Sequence, residues 1–184
     1  MVIRKYLTKH EIDRLISASH FHTNSKRNSC IIKMCFIHGL RVSELCNLRL
    51  DQIDLESKTI YIHRLKKGLS TIHPLTDDEI PYLLDWLDLR SNMEYIDSPW
   101  LFPSRKGNPL CRQSIFTMLK IVGKLAKIPT SPHPHMLRHA CGFALADLGA
   151  STRVIQDYLG HRNIQHTVIY TASNSARFLN IWNK

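Results

Sequence analysis

The chain has 184 residues, enough for one hydrophobic core, and its 43% hydrophobic and 22% charged residues are typical of a globular protein. Its 25 Lys and Arg against 15 Asp and Glu give a net charge of +10, which favours a polyanionic partner, most commonly nucleic acid, over surface charge that serves solubility alone. The sequence shows no apolar leader and no stretch of transmembrane length, and its five scattered cysteines favour buried, reduced thiols over a disulfide framework, so a cytoplasmic protein is expected.

The first third of the chain predicts three helices. Thr8-Lys9-His10-Glu11 has the pattern of a capping box, and a helix is expected from there to Ser19. Residues 20–28 are polar and predict a loop. The strongly apolar stretch Ser29–His38 predicts the central core helix, which a glycine ends, and Leu40–Leu45 predicts a short helix after it.

Arg41 stands at the junction between these last two helices. The helix dipole disfavours a cation at a helix start. Arg41 is either an ordinary surface arginine or one that is kept at this position to bind an anion, and the conflict with the dipole points to the second.

Two short segments predict an antiparallel hairpin. Thr59–His63 and Ser70–Leu75 are rich in β-branched and aromatic residues and alternate in polarity. The turn between them carries Lys66 and Lys67. From the hairpin alone, a charged turn in solvent is the simpler interpretation.

The middle of the chain predicts two helices joined by an irregular segment. Thr76-Asp77-Asp78-Glu79 is a second capping box and predicts a helix through Leu89. Pro99–Pro103 predicts a short buried extended piece, and the basic turn at 104–108 suits either a DNA backbone or solvent. Gln113–Ala126 predicts an amphipathic helix.

The last quarter predicts three more helices. One opens at Pro134 and ends at Gly149, a second follows the capping residue Ser151, and residues 165–170 form a third. The expected fold is mainly α with a small antiparallel β-sheet, an α+β arrangement, in a single domain over residues 1–184.

The last quarter also carries candidate chemistry. His135 and Arg138 lie three residues apart on one helix and share a face, which makes a suitable phosphate cradle. His161 adds another imidazole, and Tyr170 adds a phenol that can act as a nucleophile on a bound phosphate. The histidines at 133, 135 and 139 also allow a metal cluster, but no carboxylate or cysteine joins them and a neighbouring arginine disfavours a dication, so no metal is expected.

These residues, in this order and local context, resemble the catalytic domain of the tyrosine recombinases, also called the phage integrase family. Five ordered pieces over nearly the whole chain carry the resemblance: the segment from His38 to Leu45, the lysine hairpin, His135 to His139, Leu159-Gly160-His161, and Tyr170. The strings Tyr61 to Gly68, His133 to Gly142 and Ile155 to Asn163 look most like those of the fimbrial phase-variation recombinases.

The resemblance implies roles for individual residues. Arg41 and Arg138 would bind the non-bridging phosphate oxygens, His161 would donate a hydrogen bond to them, and His135 would be the base for the nucleophile Tyr170. Lys66 would protonate the leaving 5′ oxygen, with Lys67 as the alternative. The product would be a 3′-phosphotyrosyl DNA, formed without ATP, metal or other cofactor. The further candidates for contact with the DNA backbone are Lys67, Arg64, Arg105, Lys106 and Arg162.

The resemblance also implies an assembly and a function. A homotetramer on two synapsed DNA sites is expected, with a monomer or dimer when free, and the tail at 170–184 would dock on a neighbouring subunit. No separate N-terminal DNA-clamping domain is expected, so DNA-bending accessory proteins would assist. The implied function is inversion of a promoter-bearing DNA segment between inverted repeats, in the cytoplasm at the nucleoid and without any membrane. The alternatives are a mobile-element integrase or excisionase of the same chemistry, and a catalytically silent DNA-binding regulator.

Overall fold

The structure is a computed structural model, and it describes residues 4–65, 68–93 and 97–172. These residues form a mainly helical domain with one small antiparallel sheet, which confirms the predicted fold class. The helices are α1 (Lys9–Ser19), α2 (Ser25–Ile37), α3 (Val42–Cys46), α4 (Ile80–Ser91), α5 (Arg112–Leu125), α6 (Pro134–Asp147), α7 (Thr152–Leu159) and α8 (Gln165–Ala172), and the strands are β1 (Ile53–Asp54), β2 (Thr59–Ile62) and β3 (Thr71–Pro74).

The starts of α1 and α2 show how local hydrogen bonds set the helix boundaries. The Thr8 hydroxyl accepts from the Glu11 N–H, and the Glu11 carboxylate accepts from the Thr8 N–H at 2.9 Å, as the capping box predicted. Helix α2 begins at Ser25 and not at Ser29, because the Asn24 carbonyl accepts from the Asn28 N–H at 2.9 Å. The polar residues taken for a loop therefore include the first turn of the core helix.

Helix α4 also begins later than predicted, at Ile80 and not at Thr76. The Thr76 hydroxyl donates to Asp78 Oδ1 at 2.6 Å, and the Thr76 N–H donates to Glu79 Oε1 at 2.6 Å. These bonds close a turn before the helix, which then begins with Pro81 in its first turn, where a missing N–H costs nothing.

The sheet has the order β1-β2-β3 with all neighbours antiparallel. Ile60 of β2 lies opposite Ile53 of β1 and opposite His73 of β3. The hairpin was predicted, whereas β1 was missed because two residues give no readable alternation. Ile60 and Ile62 face the core and Tyr61 faces outward, so the sheet covers one side of the helices.

Two hydrophobic clusters build the interior. The larger one surrounds α2 and includes residues from α1, α3, the sheet, α4, α5 and the start of α6. The smaller one joins α6, α7 and α8, and it consists of Cys141, Ala146, Ile155, Leu159 and Tyr170. All five cysteines are free thiols and four are buried. Within the described ranges no helix is both long and apolar enough to cross a membrane.

Candidate active site

Glu44 is the buried anion around which the predicted arginine site is built. Its Oε2 accepts from the Arg41 N–H at 2.9 Å, and its Oε1 accepts from Arg41 Nη1 at 2.6 Å. Burial raises the pKa of Glu44, but Arg64 and then the hydrogen bonds from Arg41 outweigh that effect and hold this pKa below its usual range. Glu44 is therefore a carboxylate that fixes the Arg41 guanidinium at the start of α3.

Arg64 is a second guanidinium on the same carboxylate. It lies just beyond β2, is only 3% exposed, and donates from Nη1 to Glu44 Oε2 at 2.8 Å and from Nη2 to the His38 carbonyl at 3.1 Å. The expectation that Arg64 contacts a DNA backbone does not fit this geometry, because its charge is used inside the protein. Arg64 instead holds Glu44 through a buried ion pair.

Arg138 of α6 completes the cluster. It is 1% exposed, its Nη1 donates to the Gly39 carbonyl at 2.5 Å, and its Nη2 donates to the Leu159 carbonyl at 2.7 Å. Nη1 lies 3.9 Å from Glu44 Oε2. Burial and then the charges of Arg41 and Arg64 lower the pKa of Arg138 to about 10. Three guanidiniums thus share one carboxylate, and the surplus positive charge suits a bound anion.

Gly39 permits this close assembly. Its φ of 56° lies in the left-handed region, and a Cβ there would meet Leu159 Cδ2 at 2.3 Å. The residue that ends α2 therefore also lets α7 approach closely enough for its carbonyl end to hold Arg138.

The two predicted imidazoles lie at the edge of the arginine cluster. His135, in the first turn of α6, is exposed, and burial of part of its ring and then the charge of Arg138 lower its pKa. His161 follows α7, and its Nδ1 lies 2.9 Å from the hydroxyl of the buried Thr167. Burial and then the charges of Arg138 and Arg41 lower the pKa of His161 to about 3, so its ring is neutral near neutral pH and can donate only one N–H.

Tyr170 lies in α8 against α6 of the same chain. It is 1% exposed, and its hydroxyl lies 2.9 Å from Nδ1 of His139. Its ring is edge-on to Phe143 with centroids 5.1 Å apart, and a Cβ on Gly142 would come within 2.6 Å of its Cζ. Burial raises the pKa of Tyr170 to about 12, which the charge of Arg138 only partly opposes.

Sequence reasoning missed Glu44 and His139 as members of the site. His139 was interpreted as structural, although its position one helical turn after His135 was a usable signal. The signal for Glu44 was weaker, since a glutamate in the first turn of a short helix is ordinary capping chemistry.

The remaining predicted residues divide into two groups. Arg105, Lys106 and Arg162 are exposed and are available to an external polyanion. Lys66, Lys67 and residues 173–184 lie outside the described residues, so their predicted roles stay predictions. The Leu65 N–H donates to Glu44 Oε1 at 3.3 Å, so the base of the lysine turn touches the arginine cluster.

Across the described ranges, no three His, Cys, Asp or Glu side chains are grouped to hold a metal ion.

The class of protein follows from this fold and this order of residues. Residues 5–177 match the phage integrase family, so the chain belongs to that family and the predicted membership is confirmed.

Among its relatives, the chain is 53% identical over 181 residues to the type 1 fimbriae regulatory protein FimB of Escherichia coli strain K12, covering 98% of this chain and 90% of that protein. It is 46% identical over 182 residues to the type 1 fimbriae regulatory protein FimE of the same strain, covering 98% of this chain and 92% of that protein. The predicted likeness to fimbrial proteins of this family is thereby confirmed.

Among solved structures, the crystal structure of the XerA recombinase superposes with a TM-score of 0.83 at 30% identity, covering 100% of this chain and 65% of that one. The XerH site-specific recombinase in a post-cleavage complex with its difH substrate gives a TM-score of 0.80 at 23% identity, covering 97% of this chain and 53% of that one, and this likeness concerns the fold alone. The chain spans about half to two thirds of the length of these two recombinases.

Proposed function

We propose that the protein is a site-specific tyrosine recombinase that inverts a DNA segment between inverted repeats through a 3′-phosphotyrosyl intermediate. The observation that carries the proposal is the buried cluster in which Arg41 and Arg138 converge on Glu44, with Tyr170 of the same chain beside it. Membership of the phage integrase family and the likeness to FimB and FimE support site-specific recombination and its fimbrial setting.

The chemistry follows from where negative charge develops. A phosphodiester under attack gains charge on its non-bridging oxygens, and fixed donors aimed at those oxygens stabilise the transition state, each by about 3 kcal/mol. Arg41 and Arg138 are held by a carboxylate and by backbone carbonyls, so they are oriented before DNA binds. His161, oriented by Thr167, supplies a further donor.

The reaction exchanges one ester for another. The Tyr170 oxygen forms a bond to phosphorus, the bond from phosphorus to the 5′ oxygen breaks, and Lys66 gives that oxygen a proton, with Lys67 as the alternative donor. The phosphotyrosine bond stores the energy of the phosphodiester, so a 5′ hydroxyl from a second strand can reverse the step without ATP or metal.

The proposal extends to the assembly on DNA. Four copies act on two synapsed sites, the catalytic domain spans residues 1–184, and the part of the predicted tail that follows α8, residues 173–184, docks on a neighbour. The exposed Arg105, Lys106 and Arg162 contact the DNA backbone, and DNA-bending proteins assist synapsis in the cytoplasm.

The decisive experiment uses a nicked suicide substrate that carries the inverted repeat. The natural chain is expected to form an adduct that resists SDS, whereas Tyr170→Phe forms none and binds the repeat with unchanged affinity, because only the phenol oxygen is removed. Tyr82→Phe is a matched control, since Tyr82 lies in α4 away from the cluster. An adduct with Tyr170→Phe contradicts the assignment of the nucleophile.

The same proteins separate the alternative functions. The burial of Tyr170 is the observation that favours a DNA-binding regulator without catalysis. Such a regulator would bind the repeat and form no adduct with the natural chain. A plasmid with two inverted repeats distinguishes inversion from integration or excision by the order of the flanking sequence in the products.

A further inference from the structure

We propose that His73 of β3 is a positioning residue, which holds in place the two backbone segments that bind the buried arginines of the proposed active site. The α2 segment is His38-Gly39, at the end of α2, and the α7 segment is Tyr158-Leu159, at the end of α7. His73 is buried, so it acts through the arginines and not on DNA. This inference rests on the proposed recombinase function and deepens it, because it assigns a task to a residue outside the predicted site.

The first argument is that both buried arginines span the two segments. Arg64 Nη2 donates to the His38 carbonyl at 3.1 Å and to the Tyr158 carbonyl at 2.5 Å. Arg138 makes the same connection through the second residue of each segment, with Nη1 at 2.5 Å and Nη2 at 2.7 Å from the carbonyl oxygens. The orientation of each guanidinium therefore depends on the distance between the α2 segment and the α7 segment.

The second argument is that the His73 side chain bridges the same two segments. Its Nδ1 lies 3.3 Å from Nδ1 of His38. Its ring stacks on the ring of Tyr158, with centroids 3.8 Å apart and planes 25° apart. The Tyr158 hydroxyl also donates to the Ile37 carbonyl at 3.0 Å. The two residues that His73 joins are thus the two whose carbonyls accept from Arg64.

The third argument is that His73 belongs to a connected buried network. Its Nε2 lies 2.8 Å from the Thr71 hydroxyl on the same strand. At the other end of the network, His38 Nε2 lies 2.9 Å from Glu79 Oε2. His38, His73 and Glu79 are all buried, and a buried polar group that loses its partner costs free energy, so such a network favours one arrangement.

The charge state of His73 suits this task. Burial and then the charges of His38 and Arg64 lower the pKa of His73 to about 3. A neutral imidazole carries one N–H and one free nitrogen, and the Thr71 hydroxyl can donate or accept, so either ring tautomer can satisfy both contacts. His73 therefore joins the two segments without adding another cation beside the guanidiniums.

The test compares the affinity for two forms of the inverted repeat, one natural and one with an uncharged methylphosphonate at the scissile position. The ratio of the two dissociation constants reports contact between the arginines and the charge of that phosphate. Tyr170→Phe is the parent protein, so that no strand is cleaved. It is expected to bind the natural repeat more tightly by a factor on the order of 10 to 10², as hydrogen bonds to a charged group do.

Two variants of this parent disturb the network in different ways. His73→Phe keeps a ring that can stack on Tyr158 but removes the contact with His38. Thr71→Val removes the hydroxyl that orients His73 and keeps a β-branched residue in the strand. Both are expected to lose most of the preference for the charged repeat. His10→Phe, on the exposed side of α1, is the histidine control and is expected to keep it.

Single-turnover cleavage by proteins that retain Tyr170 gives a second readout. His73→Phe is expected to form the adduct more slowly by a factor on the order of 10², as when a distant substitution moves a catalytic group by about 1 Å. The defect should be smaller on a suicide substrate with the methylphosphonate, because the arginines then have less charge to stabilise. A role in folding alone would slow cleavage of both substrates equally.

The outcomes separate the inference from the proposed function. Folded variants that keep the preference for the charged repeat overturn the role of His73, as does an equal loss of rate on both substrates. If His73→Phe does not fold, the result with Thr71→Val decides. If the parent does not distinguish the two repeats and the natural chain forms no adduct, the proposed function is wrong and the role of His73 is wrong with it.

Discussion

The two sides of the candidate active site are built differently. The arginine side joins α3, the end of β2, α6 and the end of α7 through Glu44, and its charged side chains have partners on several sides. The tyrosine side rests on the eight-residue α8 and the smaller hydrophobic cluster, and among the described residues one hydrogen bond fixes the phenol oxygen. The comparison suggests a phosphate receptor that exists before DNA binds and a nucleophile that is held by fewer interactions.

The largest expected effect is the loss of stability when Glu44, the anion of the arginine side, loses its charge. Glu44→Gln leaves two buried guanidiniums without their charged partner, and loss of one member of a buried ion pair costs about 3 to 5 kcal/mol of unfolding free energy. Urea unfolding measures the change. Asp51→Asn is the control, because the exposed pair of Arg49 and Asp51 is worth at most about 1 kcal/mol. A Glu44→Gln protein as stable as Asp51→Asn would show that the cluster is not assembled in advance.

Arg138→Lys tests the same side through catalysis. A lysine carries its three donors on one nitrogen and cannot span the Gly39 carbonyl, the Leu159 carbonyl and a phosphate as the guanidinium fork can, so the rate of adduct formation should fall by a factor on the order of 10² to 10³. Single-turnover cleavage measures it, and Arg153→Lys in α7, whose side chain is exposed, is the matched control. Equal rates for the two variants would show that Arg138 does not stabilise the transition state.

Gly142→Ala tests the tyrosine side. The added methyl meets the Tyr170 ring at 2.6 to 2.8 Å, and forcing an extra carbon into a packed site costs about 1 to 3 kcal/mol. The variant is expected to form adduct more slowly while binding the DNA repeat normally, because the arginine cluster is untouched. Slower cleavage combined with a large loss of DNA binding would mean that the two sides are not separable.

A further expected effect is a dependence of stability on pH. The pKa of His139 is lowered to about 4 and that of His161 to about 3, chiefly by burial, so the unfolded chain binds more protons than the folded one below the ordinary histidine pKa of 6.5. The unfolding free energy should therefore fall as pH is lowered from about 7 towards 4, and the urea midpoint measures it. Amide hydrogen exchange should quicken more in α8 than in α2 over this range, and a uniform change would contradict the comparison.

Much of the fold was readable from local signals. The capping box at Thr8, the apolar run of α2 and the proline that opens α6 each act within a few residues, so their patterns stand in the sequence. The starts of α2 and α4 were misplaced because they depend on the backbone bond from the Asn28 N–H to the Asn24 carbonyl and on the hydrogen bonds that Thr76 makes to Asp78 and Glu79.

The site was predictable in its residue types but not in its partners. Arg41, Arg138, His161 and Tyr170 were singled out by order and spacing, and the structure brings them together. The burial of Arg64 and the bond from His139 to Tyr170 could not be read from the sequence, because their partners lie 20 and 31 residues away in the chain. The sequence shows which residues are charged or carry an imidazole, but the fold determines whether such a side chain contacts DNA or another part of the protein.

The N–H of Leu65 shares Glu44 Oε1 with Arg41, at 3.3 and 2.6 Å. The residue that precedes the lysine turn and the guanidinium that is proposed to bind the phosphate are therefore held by the same carboxylate oxygen. If the proposed function holds, a duplex that displaces Leu65 removes one of the donors that fix this oxygen, so the orientation of the Arg41 guanidinium depends on the position of the hairpin.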